Sequence, residues 1–309
     1  TRDAIVSFLD ASNEVPVPDR VACFDVDGTL WCERPNYLQF EFFADALAAR
    51  VRQDPDLGSR PELAAVLAHD AAAIDALGLE RTAIALLGLF DGVAPDDFAG
   101  HVRAFLASAM HPTLLRPSRT TVYQPMRELL TELRGRQFAV ALVTGGGTEF
   151  VRAISTDLYD VPPELVVGTM ISYGFARAAD GTPHLARTSR IEGAPNEGAS
   201  KVTNIQTQLG RRPILAAGNS GGDREMLEWA AAGAGPNLAL LVDHDDAERE
   251  FSYVSIPGTF TEDEPILSVG RRLGWTVASM ADDWSTVFPG SSRPPEGDGT
   301  IRTETTNGT

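Results

Sequence analysis

Short apolar runs alternate with stretches of helical periodicity along most of this chain, and this alternation limits the available folds more than any other feature. Residues 21–26, 138–143, 213–217 and 238–242 are predicted strands, and the segments between them carry apolar residues three or four positions apart. Strands that are almost entirely apolar are buried on both faces, as in a parallel sheet covered by helices. We therefore predict an α/β fold with a doubly wound parallel sheet.

Between Asn36 and Met110 the pattern becomes helical throughout, with many Ala and Leu residues and short Gly, Pro and Asp interruptions. This block predicts roughly four helices inserted after the first strand, one of them over residues 61–77. A further helix is predicted from about Thr148 to Leu158. Residues 169–177 and 183–188, which flank the turn-like sequence ADGT, predict a β-hairpin. We expect residues 1–32 and 121–288 to form the α/β core, residues 33–120 a helical cap domain, and residues 289–309 a disordered tail.

The charge balance excludes some classes of partner. The formal net charge of −17 disfavours nucleic acid and anionic membranes, because both would repel an acidic surface. The sequence lacks an apolar stretch of membrane-spanning length and an N-terminal secretion signal, so we expect a cytoplasmic protein. Its two cysteines, Cys23 and Cys32, form no CxxC pair, which disfavours a disulfide framework or a thiolate zinc site.

Polar residues follow three of the predicted strands at the point where each strand ends. They form the segments Asp25-Val26-Asp27-Gly28-Thr29, Thr144-Gly145-Gly146-Gly147 and Asn219-Ser220-Gly221-Gly222-Asp223. Because ligands of open parallel sheets bind beyond the carboxyl ends of the strands, we expect these segments to meet at one edge. Two neighbouring carboxylates repel each other, so the first segment predicts a bound cation or a proton held by one of them.

These segments resemble, in order, the motifs of the haloacid dehalogenase-like (HAD) phosphohydrolases. Residues 25–30 match the first motif, DxDG[TS]L, in full, and Thr144 ends an apolar strand as in the second. Lys201, the only lysine of the chain, matches the third motif. Residues 218–223 match the fourth, a GDxxxD-type loop, in variant form. The resemblance covers roughly residues 20–280, and the helical insertion is similar to the cap of the phosphoserine-phosphatase-like branch.

The resemblance implies a phosphomonoester hydrolase that works through an aspartyl-phosphate intermediate. Asp25 would be the nucleophile, and Asp27 would be the general acid and then the base that activates water. Thr144, the Gly145 amide and Lys201 would bind the transferring phosphoryl group.

The resemblance also implies a Mg²⁺ cofactor, since hard oxygen ligands suit this ion. Its ligands would be Asp25, the main-chain carbonyl of Asp27, and the loop that contains Asn219 and Asp223. Asn219 stands where the family commonly has Asp, so the site has one negative charge fewer. Whether Asn219 or Asp223 is the direct ligand remains open.

We expect a small phosphorylated substrate, with Trp31, Glu33, Arg34 and His111 as candidate contacts in or beside the cap. His111 is the first of these to consider, because a histidine beside a phosphate can be cationic near neutral pH. The sequence leaves open whether the substrate is a phosphoserine-like amino acid, a sugar phosphate or a nucleotide. It also leaves the oligomeric state open.

Other functions have weaker sequence support. Residues 218–222 match GxSxG, which would make Ser220 the nucleophile of an α/β-hydrolase-type esterase, but His244 is the only later histidine and follows by just 24 residues. A P-loop is absent from the sequence, and the glycines after Thr144 do not complete a dinucleotide-binding pattern. A dehalogenase would leave Asp27 without a purpose, and a binding module would not need the full set of charged residues.

Overall fold

The computed structural model describes residues 1–290, which include a single seven-stranded sheet. The strands are β1 (Val21–Phe24), β2 (Ala139–Gly147), β3 (Val166–Arg177), β4 (Pro183–Glu192), β5 (Leu215–Gly218), β6 (Leu238–Asp243) and β7 (Thr276–Ser279). Their order across the sheet is β4-β3-β2-β1-β5-β6-β7. Within the described residues, neighbouring strands pair in parallel except β3 and β4, which are antiparallel. The predicted parallel sheet and hairpin are therefore confirmed.

Alternate residues of the central strands pack into two different apolar cores. In β1, Ala22 and Phe24 belong to one core, whereas Val21 and Cys23 belong to the other, and all four are buried. Because successive side chains of a strand point to opposite faces, this division places one core on each side of the sheet. Burial on both sides explains why the strand sequences are apolar at every position.

Helices cover both faces of the sheet. They are α1 (Arg2–Ala11), α2 (Leu38–Val51), α3 (Pro61–Leu67), α4 (Ala71–Leu77), α5 (Leu79–Leu87), α6 (Pro95–Ser108), α7 (Gln124–Gly135), α8 (Thr148–Arg152), α9 (Ser155–Tyr159), α10 (Ala199–Leu209), α11 (Arg224–Ala231), α12 (Ile266–Leu273) and α13 (Met280–Asp283). In the described part of the chain, none is long and apolar enough to cross a membrane.

Residues 33–120, all of them described, carry five α-helices, α2 to α6, rather than the four that the sequence predicts. The difference arises because one predicted helix, residues 61–77, is divided into α3 and α4. His69 has a positive φ of 49°, which interrupts the helix, and the Asp70 side chain then accepts a hydrogen bond from the Ala73 amide and caps α4. We propose residues 33–120 as the extent of the cap.

Aromatic packing joins this cap to the α/β core. The Phe42 ring on α2 lies 5.6 Å, between ring centroids, from both Phe98 on α6 and Phe150 on α8. The three side chains are buried in the core that covers one face of the sheet. The cap and that face of the sheet therefore share one continuous apolar interior.

Two other predictions differ from the structure or lie beyond it. The helix predicted from Thr148 to Leu158 is two short helices, α8 and α9, because the backbone leaves the helical conformation at Ile154. The predicted tail, 289–309, lies outside the described residues except for its first two positions.

Candidate active site

Three charged side chains from different elements meet beyond the carboxyl end of β1. The Lys201 ammonium, on α10, lies 2.6 Å from Oδ1 of Asp25 and 2.6 Å from Oδ1 of Asp223. It also donates a hydrogen bond of 3.0 Å to the Val143 carbonyl at the end of β2. All three charged side chains are buried. A buried lysine shared by two carboxylates therefore links the ends of β1, β2 and β5.

With all three groups ionised, the buried triad Asp25–Lys201–Asp223 carries one net negative charge. Burial and the nearby Asp223 carboxylate raise the pKa of Asp25 well above its usual value, against the opposing effect of Lys201. Burial alone would lower the pKa of Lys201, but the carboxylates of Asp223 and Asp25 hold it above its usual value. Lys201 is therefore a fixed positive charge beside the Asp25 carboxylate.

The second carboxylate of the first motif has a different environment. Asp27 Oδ1 accepts a hydrogen bond of 2.7 Å from the Trp31 indole nitrogen. Burial raises the pKa of Asp27 to about 6, although the Trp31 hydrogen bond opposes the shift. Asp27 can therefore exist as an acid or as a base near neutral pH, whereas Asp25 faces a permanent cation. The two carboxylates are suited to different roles.

The last residues of β2, 144–147, form a tightly held bend (the Thr144 turn), where the pairing with β3 shifts register. The Thr144 hydroxyl accepts a hydrogen bond of 2.9 Å from the Gly146 amide, and the Thr144 carbonyl accepts one of 2.8 Å from the Asn196 side chain. The Gly147 amide donates to Oε1 of Gln39, on α2 of the cap, at 2.8 Å. The glycines leave room for this cap side chain, since a Cβ at Gly146 would lie 2.6 Å from Gln39 Oε1.

The two candidate metal ligands in the loop after β5, Asn219 and Asp223, have different contacts. Asp223 Oδ2 accepts hydrogen bonds of 3.0 Å from the amides of Asn219 and Ser220, while Oδ1 contacts Lys201. Both oxygens of Asp223 are thus occupied. Asn219 Oδ1, in contrast, lies 3.3 Å from the Thr29 hydroxyl, which is also 3.1 Å from Asp25 Oδ2. Asn219 therefore directs its oxygen to the same hydroxyl as Asp25.

The substrate candidates next to the first motif are largely buried. Trp31 is 2% exposed, and its indole holds Asp27. Glu33 accepts hydrogen bonds from Asn219 Nδ2 and from the Tyr253 hydroxyl, at 3.1 and 2.9 Å. The Arg34 guanidinium lies over the Tyr253 ring, 4.3 Å from its centroid. Trp31 therefore holds Asp27, and Glu33 holds Asn219.

A histidine beside a phosphate can be cationic, but the structure gives His111 a neutral ring, and its role as a substrate contact stays a prediction. His111 Nδ1 accepts hydrogen bonds from the amides of Thr113 and Leu114, so it carries no proton, and Nε2 donates to the Arg34 carbonyl at 2.6 Å. Burial lowers the pKa of His111 further below its usual value. It is a neutral side chain that fixes the local turn.

The geometry around Ser220 does not form a serine–histidine pair. The Ser220 hydroxyl lies 3.3 Å from Asp223 Oδ2. His244 Nε2 donates to the Gly28 carbonyl at 2.8 Å, and its Nδ1 lies 3.3 Å from Glu250. Both ring nitrogens are engaged elsewhere, so the histidine required by the esterase interpretation does not contact Ser220.

Several residues at this site carry no sequence signal. Asn196 holds the Thr144 carbonyl, and Gln39 reaches the same turn from the cap. Glu197, just before α10, accepts hydrogen bonds from the amides of Gly258 and Thr259, at 3.1 and 2.8 Å. It thus holds the loop that contains these two residues. Asn196, Gln39 and Glu197 are single polar residues in loops or on a helix surface, where polar residues are common for other reasons.

The chain matches one protein family and several solved structures. A family model described as haloacid dehalogenase-like hydrolase matches residues 22–228. A search of curated proteins finds no match. Two similar structures, both of unknown function, come from Bordetella pertussis Tohama I (20% identity, 84% of this chain and 97% of that one, TM-score 0.53) and Anaerococcus prevotii (13%, 85% and 96%, 0.52). A phosphoserine phosphohydrolase-like protein from Francisella tularensis has 14% identity, covers 84% and 94%, and has a TM-score of 0.43.

Proposed function

The chain belongs to the haloacid dehalogenase-like hydrolases, and from this premise we propose that it hydrolyses a small phosphomonoester through an aspartyl-phosphate on Asp25. The observation that carries the proposal is the contrast between two carboxylates at the end of β1. One is paired with a buried lysine, and the other has a pKa of about 6. Phosphoryl transfer by covalent catalysis requires a nucleophile and a separate proton donor.

Asp25 acts as the nucleophile in this proposal. Its carboxylate attacks phosphorus, the bond to the leaving oxygen breaks, and the phosphoryl group is transferred to the aspartate. Lys201, whose pKa is held above its usual value, supplies a fixed positive charge next to the reacting group. The Thr144 turn, held by Asn196 and Gln39, offers its hydroxyl and the Gly145 amide to the phosphoryl oxygens.

Asp27 supplies and then removes protons. With a pKa of about 6, it donates a proton to the departing alkoxide and afterwards, as a carboxylate, accepts one from the water that hydrolyses the aspartyl-phosphate. The Trp31 indole fixes one carboxylate oxygen and so orients the other.

The oxygen ligands fit the Mg²⁺ ion that the family implies. Among residues 1–290, no three His, Cys, Asp or Glu side chains are grouped to hold a metal. The ligands would therefore include groups of other types: the Asn219 amide oxygen and the Asp27 main-chain carbonyl, together with the Asp25 carboxylate. These are hard oxygen ligands, as Mg²⁺ prefers. When bound, the ion neutralises phosphoryl charge. In this proposal Asp223 holds the loop amides and Lys201, while Asn219, whose oxygen shares the Thr29 hydroxyl with Asp25, faces the ion.

The test compares a phosphate and a carboxylate ester of the same leaving group. We expect the protein to hydrolyse p-nitrophenyl phosphate and not p-nitrophenyl acetate, and to lose the phosphatase activity in EDTA. Asp25→Asn should abolish turnover, because an amide does not form the acyl phosphate, whereas Ser220→Ala should retain it. Full turnover in EDTA, or loss of ester hydrolysis specifically in Ser220→Ala, would contradict the proposal.

The substrate is then identified with a panel of phosphorylated amino acids, sugars and nucleotides. Asp25→Asn serves as the blank for each compound, so that contaminating phosphatases are subtracted. A single class hydrolysed with a kcat/KM well above that of p-nitrophenyl phosphate would identify the physiological substrate class.

A further inference from the structure

We propose that Glu33 is a positioning residue that supplies, from the segment after β1, the negative charge that Asn219 lacks. The inference rests on the proposed function only in that Asn219 would face the metal ion. The family resemblance leads one to expect an aspartate at this position, whereas this chain has a neutral amide. The structure places a carboxylate directly behind that amide.

The contacts of the Asn219 side chain fix which way its amide points. Its Nδ2 donates to Glu33 Oε1 at 3.1 Å and to the Ser255 hydroxyl at 3.0 Å. Its Oδ1 consequently points the other way, towards the Thr29 hydroxyl, which also contacts Asp25 Oδ2. With a carboxylate as acceptor, Glu33 can stabilise only the orientation in which Nδ2 faces it. Glu33 therefore determines that Asn219 presents oxygen to the reaction site.

Gly28 provides the space in which Asn219 and Glu33 meet. Its φ is +75°, and a Cβ on it would lie 2.0 Å from Asn219 Nδ2 and 2.8 Å from Glu33 Cδ. Any other residue at this position would push the two side chains apart. The glycine of the first motif is thus required here for a close approach of side chains as well as for its backbone conformation.

The Glu33 carboxylate is not placed to stabilise the fold by itself. It is 7% exposed, and burial raises its pKa. Within residues 1–290 it forms no ion pair, and its other hydrogen bond comes from the Tyr253 hydroxyl at 2.9 Å. Burying a carboxylate without a direct cationic partner lowers stability, and this favours a role for Glu33 at the reaction site.

The Glu33 carboxylate also makes the Asn219 amide oxygen a better metal ligand. A hydrogen bond from an amide nitrogen to a charged acceptor polarises the amide and increases the negative charge on its oxygen. Groups behind metal ligands commonly act in this way, by orienting a ligand and tuning its basicity. The Asn219–Glu33 pair together would then offer what a single aspartate offers in the commoner arrangement.

The decisive experiment exchanges the positions of the carboxylate and the amide. Asn219→Asp alone places two buried carboxylates in contact, and we expect its melting temperature in EDTA to fall by several degrees. Adding Glu33→Gln lets the new amide at 33 donate to the new carboxylate at 219, with Ser255 and Tyr253 able to reorient their hydroxyls. We therefore expect the double variant to recover most of the lost melting temperature.

The matched control removes the same charge at a remote site. Asn219→Asp combined with Glu80→Gln has the same composition change, but Glu80 is exposed on α5, so no recovery is expected. Equal recovery by Glu80→Gln and Glu33→Gln would overturn the proposal. If Asn219→Asp does not accumulate as folded protein, recovery of folded protein in the exchange variant supports the proposal, and its absence overturns it.

Glu33→Gln alone distinguishes positioning from a merely structural role. Because a glutamine oxygen can still accept from Asn219, the fold should persist, but the charge is lost. We expect the Mg²⁺ concentration for half-maximal activity to rise about tenfold with little change in KM, and the rise in melting temperature on adding Mg²⁺ to shrink. An unchanged Mg²⁺ dependence would refute the positioning role.

Failure of the proposed function gives a different pattern. If the wild-type protein hydrolyses no phosphomonoester while the exchange variant still recovers stability in EDTA, the Asn219–Glu33 coupling holds and the activity assignment is wrong. If phosphatase activity is present but Glu33→Gln rescues no better than Glu80→Gln, the positioning proposal alone is wrong.

Discussion

Replacing Lys201 by methionine tests the electrostatic design of the site most directly. Methionine has a similar length and fills the same buried space, so the main loss is the positive charge. The change leaves the carboxylates of Asp25 and Asp223, each 2.6 Å from Nζ in the native protein, without their common cation. With both carboxylates ionised, the net charge of the buried triad goes from −1 to −2.

The magnitude follows from those distances and from the desolvation of the groups. At an effective dielectric constant of about 20, each contact contributes roughly 6 kcal/mol of attraction. Most of this is offset by the desolvation of the three ions, and loss of one partner of a buried pair costs about 3–5 kcal/mol. We expect Lys201→Met to lower the free energy of unfolding by that amount at pH 8.

Urea unfolding in metal-free buffer measures the effect. Arg272→Met is the matched control, because it removes an exposed cation that contacts Glu264 on the surface, and it should cost less than about 1 kcal/mol. The double variant Lys201→Met/Asp25→Asn removes one of the stranded carboxylates and should recover part of the loss. Turnover should fall by about a hundredfold or more in Lys201→Met, since a fixed charge at the transferring group is lost.

Two results would refute this reasoning. If Lys201→Met costs no more stability than Arg272→Met, the buried lysine does not hold the carboxylates together in solution. If adding Asp25→Asn lowers stability further instead of restoring it, the repulsion between Asp25 and Asp223 is not what destabilises the single variant.

Three further predictions concern Asp27 and the contact between cap and core. Asp27→Asn should slow hydrolysis of an alkyl phosphate far more than that of p-nitrophenyl phosphate, whose leaving group needs no proton; equal slowing would mean that Asp27 is not the general acid. Because the pKa of Asp27 in the folded protein, about 6, lies above its ordinary 3.8, the folded state binds this proton more tightly. Metal-free stability should therefore fall by at most about 3 kcal/mol as the pH rises from 4 to 7, and Asp27→Asn should flatten that decline in urea titrations. Arg187 is fully buried, pairs with Glu149 and donates to the Phe90 carbonyl at 3.1 Å. Arg187→Met should therefore lower the free energy of unfolding by about 3 kcal/mol. A loss below about 1 kcal/mol in urea unfolding would show that the pair does not anchor the cap.

The sheet and its polar edge could be predicted because both follow from local patterns. Strands such as β1 are apolar at every position, and only a sheet covered on both faces buries them. Parallel strands then bring their carboxyl ends to one edge, which is why Asp25, Thr144 and the loop at 219–223 could be expected together. The helical insertion was likewise visible from its periodicity, although the break at His69 depends on a backbone conformation that periodicity does not report.

The identity of each contact was decided only by the tertiary structure. The sequence left open whether Asn219 or Asp223 faces the metal, and our proposal of Asn219 rests on the Thr29 hydroxyl that its oxygen shares with Asp25, and on the contacts of Asp223 with Lys201 and two loop amides. It also allowed His111 to be cationic, whereas two amides that point at Nδ1 keep this ring neutral.

The partners of Asn219 show why such contacts escape sequence reasoning. Glu33 lies 186 positions away along the chain, and Ser255 lies in a loop 36 positions later. A lone polar residue in a loop is ordinarily explained by exposure to water, so its type carries no indication of a buried partner. The sequence determined which chemical groups reach the edge of the sheet, because strand periodicity is local. The fold alone decided which of them touch, because side-chain hydrogen bonds depend on the packing of segments that are distant in the chain.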